Sequence, residues 1–305
     1  MIIYKELSSL EKDLGVSAGV LYAVSNTIER HYHEVKIPKQ SGGYRSLAIP
    51  DELLKTIQRR ITETLLVYMP VSAYATAYRY GGSTLRNAQP HTGKKMLLKL
   101  DIERFFDHIL YSTVKEKVFP DEIYAEPLRI LLTILCYDRD VLPQGAPSSP
   151  IITNIIMREF DDMVGSWCRK RRIAYTRYCD DMTFSGVFRP DEVIEFVSQQ
   201  LRAMGFFLHS EKTRLIYSGQ KQVVTGIVVN EKPGVPAEYR RRLRQELYYC
   251  RKFGVDSHLE RCGIHAVKKV YLETLLGRVN YVLQITGGNQ EMLEYKEWLI
   301  EQLRS

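Results

Sequence analysis

Two stretches of this sequence place carboxylates where chemistry could use them. Met96-Leu97-Leu98-Lys99-Leu100 reads as an apolar strand that delivers Asp101 at its end. Asp180-Asp181 follows 79 residues later, between two runs of strand character at 173–178 and 182–185. With Cys179-Asp180-Asp181 between them, those runs are most simply a hairpin. Carboxylates gathered at strand ends repel one another unless cations neutralise them. Mg2+ suits such donors, because it prefers oxygen ligands, keeps several waters and binds through a few carboxylates plus substrate phosphates. Two such ions about 4 Å apart would hold an attacking hydroxyl and a leaving pyrophosphate in line. A bare Asp-Asp pair also has a plainer reading as a turn, where Asp is common.

The surrounding pattern supplies elements to position them. Leu7, Leu10 and Leu14, then Val20, Leu21, Val24 and Ile28, predict two short helices around residues 15–19. Residues 35–50 read as two strands joined by a turn at Ser41-Gly42-Gly43. A helix is expected from an Asp51 N-cap through Leu53, Leu54, Ile57, Ile61 and Leu65, stopping near Met69-Pro70. Another should begin at Ser149-Pro150, with Ser as cap and Pro in the first turn. Its apolar face continues through Ile151, Ile152, Ile155, Ile156, Phe160 and Val164. A helix at 190–204, strands near 206–208 and at 223–229, and helices beyond Pro236 complete an α+β chain.

Composition removes several function classes. A chain of 305 residues with 45% hydrophobic and 26% charged residues can bury a core, so it is neither a disordered tail nor a disulfide mini-scaffold. Its length fits one large or two to three small folding units. Five cysteines, odd in number and without a CxxC pair, argue against a disulfide framework or zinc site and favour a reducing, cytoplasmic compartment. The charged N-terminus does not read as a signal peptide, and no apolar run approaches the roughly 20 residues of a membrane span. A net charge of +7 permits a nucleic-acid partner. Residues 237–279 hold ten Lys/Arg against five Asp/Glu, so positive charge gathers late in the chain.

Three blocks, in order, carry a family resemblance. They are Lys99-Leu100-Asp101-Ile102-Glu103-Arg104-Phe105-Phe106, then Leu142-Pro143-Gln144-Gly145-Ala146-Pro147-Ser148-Ser149-Pro150, then Arg177-Tyr178-Cys179-Asp180-Asp181-Met182. They resemble the signature blocks of reverse transcriptases: a metal-binding Asp followed by aromatics, an LPQG-to-SP segment, and a Tyr-X-Asp-Asp turn. Arg45 in YRSLAIP looks like a fingers arginine, and Tyr78-Arg79-Tyr80-Gly81-Gly82-Ser83 like a second fingers block. The segment from Gly205-Phe206 to Ser210-Glu211-Lys212-Thr213 resembles the one that places a lysine near pyrophosphate. Asn87-Ala88-Gln89-Pro90-His91 matches an NAxxH motif and Val224-Thr225-Gly226 a VTG triplet, both typical of bacterial retron reverse transcriptases. The departure is Cys179, where that branch usually carries Ala.

The resemblance implies a right-hand polymerase fold. Its parts would be an N-terminal helical extension (1–34), fingers (35–92), a palm of antiparallel sheet plus helices (93–234) and a helical thumb (235–305). The span from Val235 onward suffices for a thumb and leaves no room for an RNase H or endonuclease domain. By resemblance, Asp101, Asp180 and Asp181 would hold two Mg2+ ions, with the Ile102 carbonyl as an extra ligand. Phe106 would stack under the sugar and exclude a ribose 2′-hydroxyl, with Phe105 in the core because neighbours on extended backbone face opposite ways. Gln144 would contact the incoming nucleotide or template. Lys39, Arg45 and Arg79 would neutralise triphosphate charge, and Lys212 could protonate pyrophosphate; Lys39 and Lys212 read equally as solvated lysines. His91 alone reads as a structural hydrogen-bonder. With Asn87 and the VTG triplet it would support an RNA surface, joined by Arg240, Arg241 and Arg244 on the basic helix beginning YRRRLRQELYYCRK.

The implied activity is RNA-templated DNA synthesis from dNTPs, starting at a 2′-hydroxyl of a structured non-coding RNA and leaving branched RNA-linked DNA. Such systems serve in anti-phage defence, usually with a separate effector protein. The rival readings are an intron-type or abortive-infection reverse transcriptase, and a catalytically silent RNA-binding subunit.

Overall fold

Leu10 and Leu14 lie one turn apart and both are fully buried, which lets a helix of eight residues persist where an isolated one would not. The computed structural model describes residues 3–38 and 42–304. Helix α1 (Leu7–Leu14) ends where Gly15 turns left-handed at a φ of 62° and returns its N–H to the Glu11 carbonyl. Helix α2 (Ala18–Asn26) follows, then strands β1 (Tyr32–Pro38) and β2 (Tyr44–Pro50), paired antiparallel as expected. Lys39 and the start of the turn at Ser41 lie outside the described residues. Asp51 caps α3 (Glu52–Thr64), its Oδ1 accepting from the Leu54 N–H at 2.9 Å. This helix stops at Thr64, short of Met69, and a 3-10 turn over Leu66–Tyr68 carries the chain onward.

Next come α4 (Thr84–Ala88), β3 (Met96–Asp101), α5 (Tyr111–Val118) and α6 (Glu126–Leu135). The single helix expected from Ser149 to Val164 is in fact two, α7 (Ser149–Ile156) and α8 (Arg158–Lys170). The break is at Met157, fully buried with ψ near 0°, so Ile152 and Ile156 before it and Phe160 and Val164 after it enter one core. Ser148, not Ser149, occupies the cap position, without a side-chain cap bond, and the Ser149 hydroxyl donates instead to the Pro143 carbonyl at 2.7 Å. Strands β4 (Ala174–Tyr178) and β5 (Asp181–Gly186) form the expected hairpin, and α9 (Pro190–Ala203) follows.

The strand expected near 206–208 reduces to one antiparallel bridge between Leu208 and Ile102. A strand the sequence did not announce, β6 (Arg214–Tyr217), completes a four-stranded sheet in the order β4-β5-β3-β6. The single strand expected at 223–229 is a small hairpin, β7 (Val223–Val224) and β8 (Ile227–Val228). Thr225 and Gly226 both take positive φ (45° and 83°), which a two-residue turn of this kind demands. The chain ends in α10 (Ala237–Phe253), α11 (Val255–Cys262), α12 (Lys268–Thr286) and α13 (Gln290–Arg304).

These elements form two compact units. One comprises Met1–Gly82 with Leu98–Leu215, and the other Ser83–Leu97 with Ile216–Ser305. The first is cored by residues such as Ile57, Leu132, Phe160 and Phe184, the second by Leu243, Leu247, Leu275 and Val279. All five cysteines are free thiols, and only Cys262 is exposed. Among the described residues no helix is long and apolar enough to cross a membrane.

Gly165 shows how tightly the first unit is packed. It lies inside α8, where Gly normally weakens a helix by about 1 kcal/mol relative to Ala. A Cβ there would fall 2.0 Å from the Tyr74 ring. Gly165→Ala is therefore expected to destabilise the protein by about 1–3 kcal/mol through overpacking, despite the better helix former. Urea denaturation checks it; a rise in stability would mean that Tyr74 moves aside freely.

Candidate active site

Strand β3 is buried along almost its whole length, so its end is a rigid mount for Asp101. The next backbone groups are pinned from two sides. Ile102 N–H donates to the Asp180 carbonyl at 3.2 Å, Glu103 N–H to the Phe207 carbonyl at 2.8 Å, and His209 N–H to the Asp101 carbonyl at 2.8 Å. Across the sheet, Tyr178 pairs with Asp181, leaving Cys179 and Asp180 as a two-residue loop. Cys179 is left-handed at a φ of 62°, a conformation that costs a non-glycine residue roughly 1–2 kcal/mol.

The three aspartates open onto one cavity of about 1040 Å3. Arg45, Phe106, Gln144 and Lys212 line the same cavity, as does Ile102. Tyr78, Arg104 and His209, to which the spacing assigns no role of their own, line it too. Negative charge is crowded here. Burial, then the nearby Asp101, pushes the Asp180 carboxyl above the usual carboxylate range, and burial, then Asp180, does the same to Asp181. Lys212 Nζ sits 2.7 Å from Asp101 Oδ1, a cationic group already drawn to the cluster.

Among the described residues no three His, Cys, Asp or Glu side chains converge into a cage that would hold a metal unaided. The donors present still fit a hard divalent cation. They are carboxylate oxygens whose mutual repulsion a cation relieves, and such an ion takes its remaining ligands from water and substrate phosphates.

The reverse transcriptase (RNA-dependent DNA polymerase) family matches residues 37–229 of this chain. Retron Ec83 reverse transcriptase of Escherichia coli is 34% identical over 284 residues, covering 87% of this chain and 86% of that protein. The chain belongs to the retron reverse transcriptases. Retron Mx65 reverse transcriptase of Myxococcus xanthus is also 34% identical, over 270 residues covering 80% of this chain. This chain spans only 63% of that relative's length. Retron Ec86 reverse transcriptase of Escherichia coli is 27% identical over 84% of this chain and 82% of its own. That family comprises RNA-dependent DNA polymerases, which generally use divalent metal ions.

Several expected roles need correction in this reverse transcriptase. Phe105 is buried and Phe106 half-buried in the cavity wall, as expected, but not for the reason expected. Both lie on a 3-10 turn (Phe105–His108), and it is the turn, not strand alternation, that separates them. Arg79 does not line the cavity: its Nη1 donates to the Ser72 carbonyl at 2.8 Å and the Ala75 carbonyl at 3.4 Å, so it braces its own loop.

Direct RNA contact by Asn87, His91 or Val224 does not fit either, since all three side chains are closed off from solvent. Burial, then Lys94, pushes the His91 imidazole down to about 3, so it is neutral. The two retron motifs instead meet: Asn87 Nδ2 donates to Thr225 Oγ1 at 3.4 Å, and that hydroxyl donates to the Thr84 carbonyl at 3.1 Å. They hold the β7–β8 turn against α4. Gly226 is exposed beside them.

Arg240, Arg241 and Arg244 share one shallow hollow of about 420 Å3 at the start of α10. Arg244 is also paired with Glu291 at 2.6 Å. Arg177 opens the last signature block without an expected role; it is fully buried beneath the Tyr178–Asp181 turn against Asp161. A charged residue inside a predicted strand, next to the Asp-Asp turn, is its one local signal.

Proposed function

We propose that this chain copies a structured non-coding RNA into DNA, using two Mg2+ ions held by Asp101, Asp180 and Asp181. The observation that carries the reading is the meeting of these carboxylates with Arg45, Phe106, Gln144 and Lys212 around one cavity. The metals would polarise the attacking hydroxyl and neutralise the departing pyrophosphate. Arg45 offers paired donors to the triphosphate, and Phe106 forms the floor beneath the sugar. Lys212, once released from Asp101, has a proton to give the leaving group. Fingers at 35–92, palm at 93–234 and thumb at 235–305 are the corresponding assignments.

The relatives' names support the retron type; the finer reading that goes with it is priming from a 2′-hydroxyl of the RNA, branched RNA-linked DNA as product, and a cytoplasmic role in anti-phage defence with a separate effector protein. Primer extension tests both levels. The chain should incorporate dNTPs on a generic RNA template with an annealed DNA primer. On a transcript of the DNA just upstream of its coding sequence it should synthesise DNA without added primer, leaving a product that RNase trims but does not detach. Extension of the annealed primer alone would favour an intron-type enzyme, and no synthesis on either would favour a silent RNA binder.

RNA binding by the basic face of α10 should be steep in salt. Each phosphate contact contributes roughly 0.7 to 0.9 to the log–log slope. Replacing Arg240, Arg241 and Arg244 with Gln should flatten the slope by about two units, Arg244 contributing least because Glu291 already holds it. Filter binding at several salt concentrations measures this. An unchanged slope would mean that the face is merely solvated.

A further inference from the structure

We infer that Arg177 is a positioning residue that sets the orientation of Asp180 by gripping the Cys179 carbonyl, with Asp161 as its buried anchor. The inference rests on the polymerase reading above. Arg177 and Asp161 are each 0% exposed. Arg177 Nη2 lies 2.6 Å from Asp161 Oδ2, while Nε donates to both carboxylate oxygens at 2.9 and 3.1 Å. The Tyr175 hydroxyl donates to the same carboxylate at 2.8 Å, and Nη2 also reaches Asn154 Oδ1 at 3.3 Å. The remaining nitrogen, Nη1, donates to the Cys179 carbonyl at 2.8 Å.

That carbonyl belongs to the peptide plane joining Cys179 to Asp180. The next plane is fixed as well, since the Asp180 carbonyl accepts from Ile102 N–H at 3.2 Å. With both flanking peptides held, the Asp180 Cα has little freedom to tilt its carboxylate. The grip is needed because Cys179 at a φ of 62° would otherwise relax. Arg177 is itself immobile: its N–H donates to the Tyr74 carbonyl at 2.8 Å, and its carbonyl accepts from the Thr76 N–H and hydroxyl at 2.9 and 3.0 Å. A buried ion pair adds little stability over a well-packed apolar replacement, so stability alone gives weak reason for one here. Only a planar guanidinium can span Asp161 and Cys179 at once; an ammonium cannot.

Arg177→Lys keeps the charge opposite Asp161 and removes the grip on Cys179. Three readouts apply to the purified full chain: thermal unfolding, kcat and dNTP KM on a generic primed RNA template, and Mn2+ affinity by water-proton relaxation. The folded variant should lose about thirtyfold or more in kcat, as a misplacement near 1 Å does, with dNTP KM and RNA affinity within about threefold. Its Mn2+ affinity should fall by about tenfold. Wild-type kcat in folded Arg177→Lys would overturn the inference. If that variant does not fold, the combination Tyr175→Phe, Asp161→Leu and Arg177→Met leaves no buried charge unpaired. It should unfold cooperatively yet show the same loss of kcat, and wild-type kcat there overturns the inference equally. A wild-type chain that extends no primer sinks the polymerase reading instead. The Mn2+ titration then judges Arg177 by itself, unchanged affinity counting against it.

Discussion

Asp180→Asn is expected to abolish DNA synthesis to below about a hundredth of wild type while RNA affinity stays within a few-fold. The substitution preserves the side chain's shape and the two-residue loop between Tyr178 and Asp181. What it removes is the negative charge that, with Asp101, would draw a divalent cation into the cavity. Loss of such a transition-state ion is worth about 3 kcal/mol or more, the equivalent of that hundredfold. The RNA contacts proposed for α10 do not involve this residue, so binding is untouched. Single-turnover incorporation with a radiolabelled dNTP, beside filter binding of the same RNA, separates the two effects. Retained synthesis above about one hundredth would remove Asp180 from the metal-binding role.

Phe106→Ala should admit ribonucleotides. The ring is half-buried in the cavity wall, its edge packed on Phe105 at a centroid distance of 5.6 Å. Phe105 in turn packs on Phe206 at 5.4 Å, so the wall behind Phe106 is rigid and cannot fill the space an alanine leaves. A 2′-hydroxyl that clashes with the ring would fit the opened space. Discrimination resting on one steric clash is worth about 1–3 kcal/mol, so the ratio of dNTP to rNTP incorporation should fall by roughly 10- to 100-fold. Competition assays with matched dNTP and rNTP read that ratio directly. If it does not change, the discriminating contact lies elsewhere in the cavity, which the exposed rings of Tyr44 and Tyr78 also line.

The candidate carboxylates were legible because their signal is local. An apolar strand ending in Asp101 and a hairpin turning at Cys179-Asp180 depend on short-range alternation, and both form as expected except that Asp181 already belongs to the returning strand. The Asp51 cap and the α1–α2 pair are legible for the same reason. The blocks around these residues also announced the family, since metal and triphosphate chemistry demands particular residue types in a particular order. Where the pattern failed, the nearby backbone had taken a form that simple alternation does not foresee. Phe105 and Phe106 were separated correctly by a rule for extended backbone, yet a 3-10 turn does the separating. Arg79 looked like a free cation until carbonyls at Ser72 and Ala75 claimed it.

Sequence alone therefore determined the family and which carboxylates stand as candidates for its chemistry. Tertiary structure decided which charges are available and what holds them in place. Asn87 and His91 show the difference: as a motif they suggested a surface, and folding buries both, with Asn87 bonded to a threonine 138 residues away. Arg177 shows it again, since its partner Asp161 sits on another element and no periodicity in either segment links them. A hydrogen-bonding group is satisfied by whatever the fold brings within about 3 Å, and that choice is made only when the chain closes on itself.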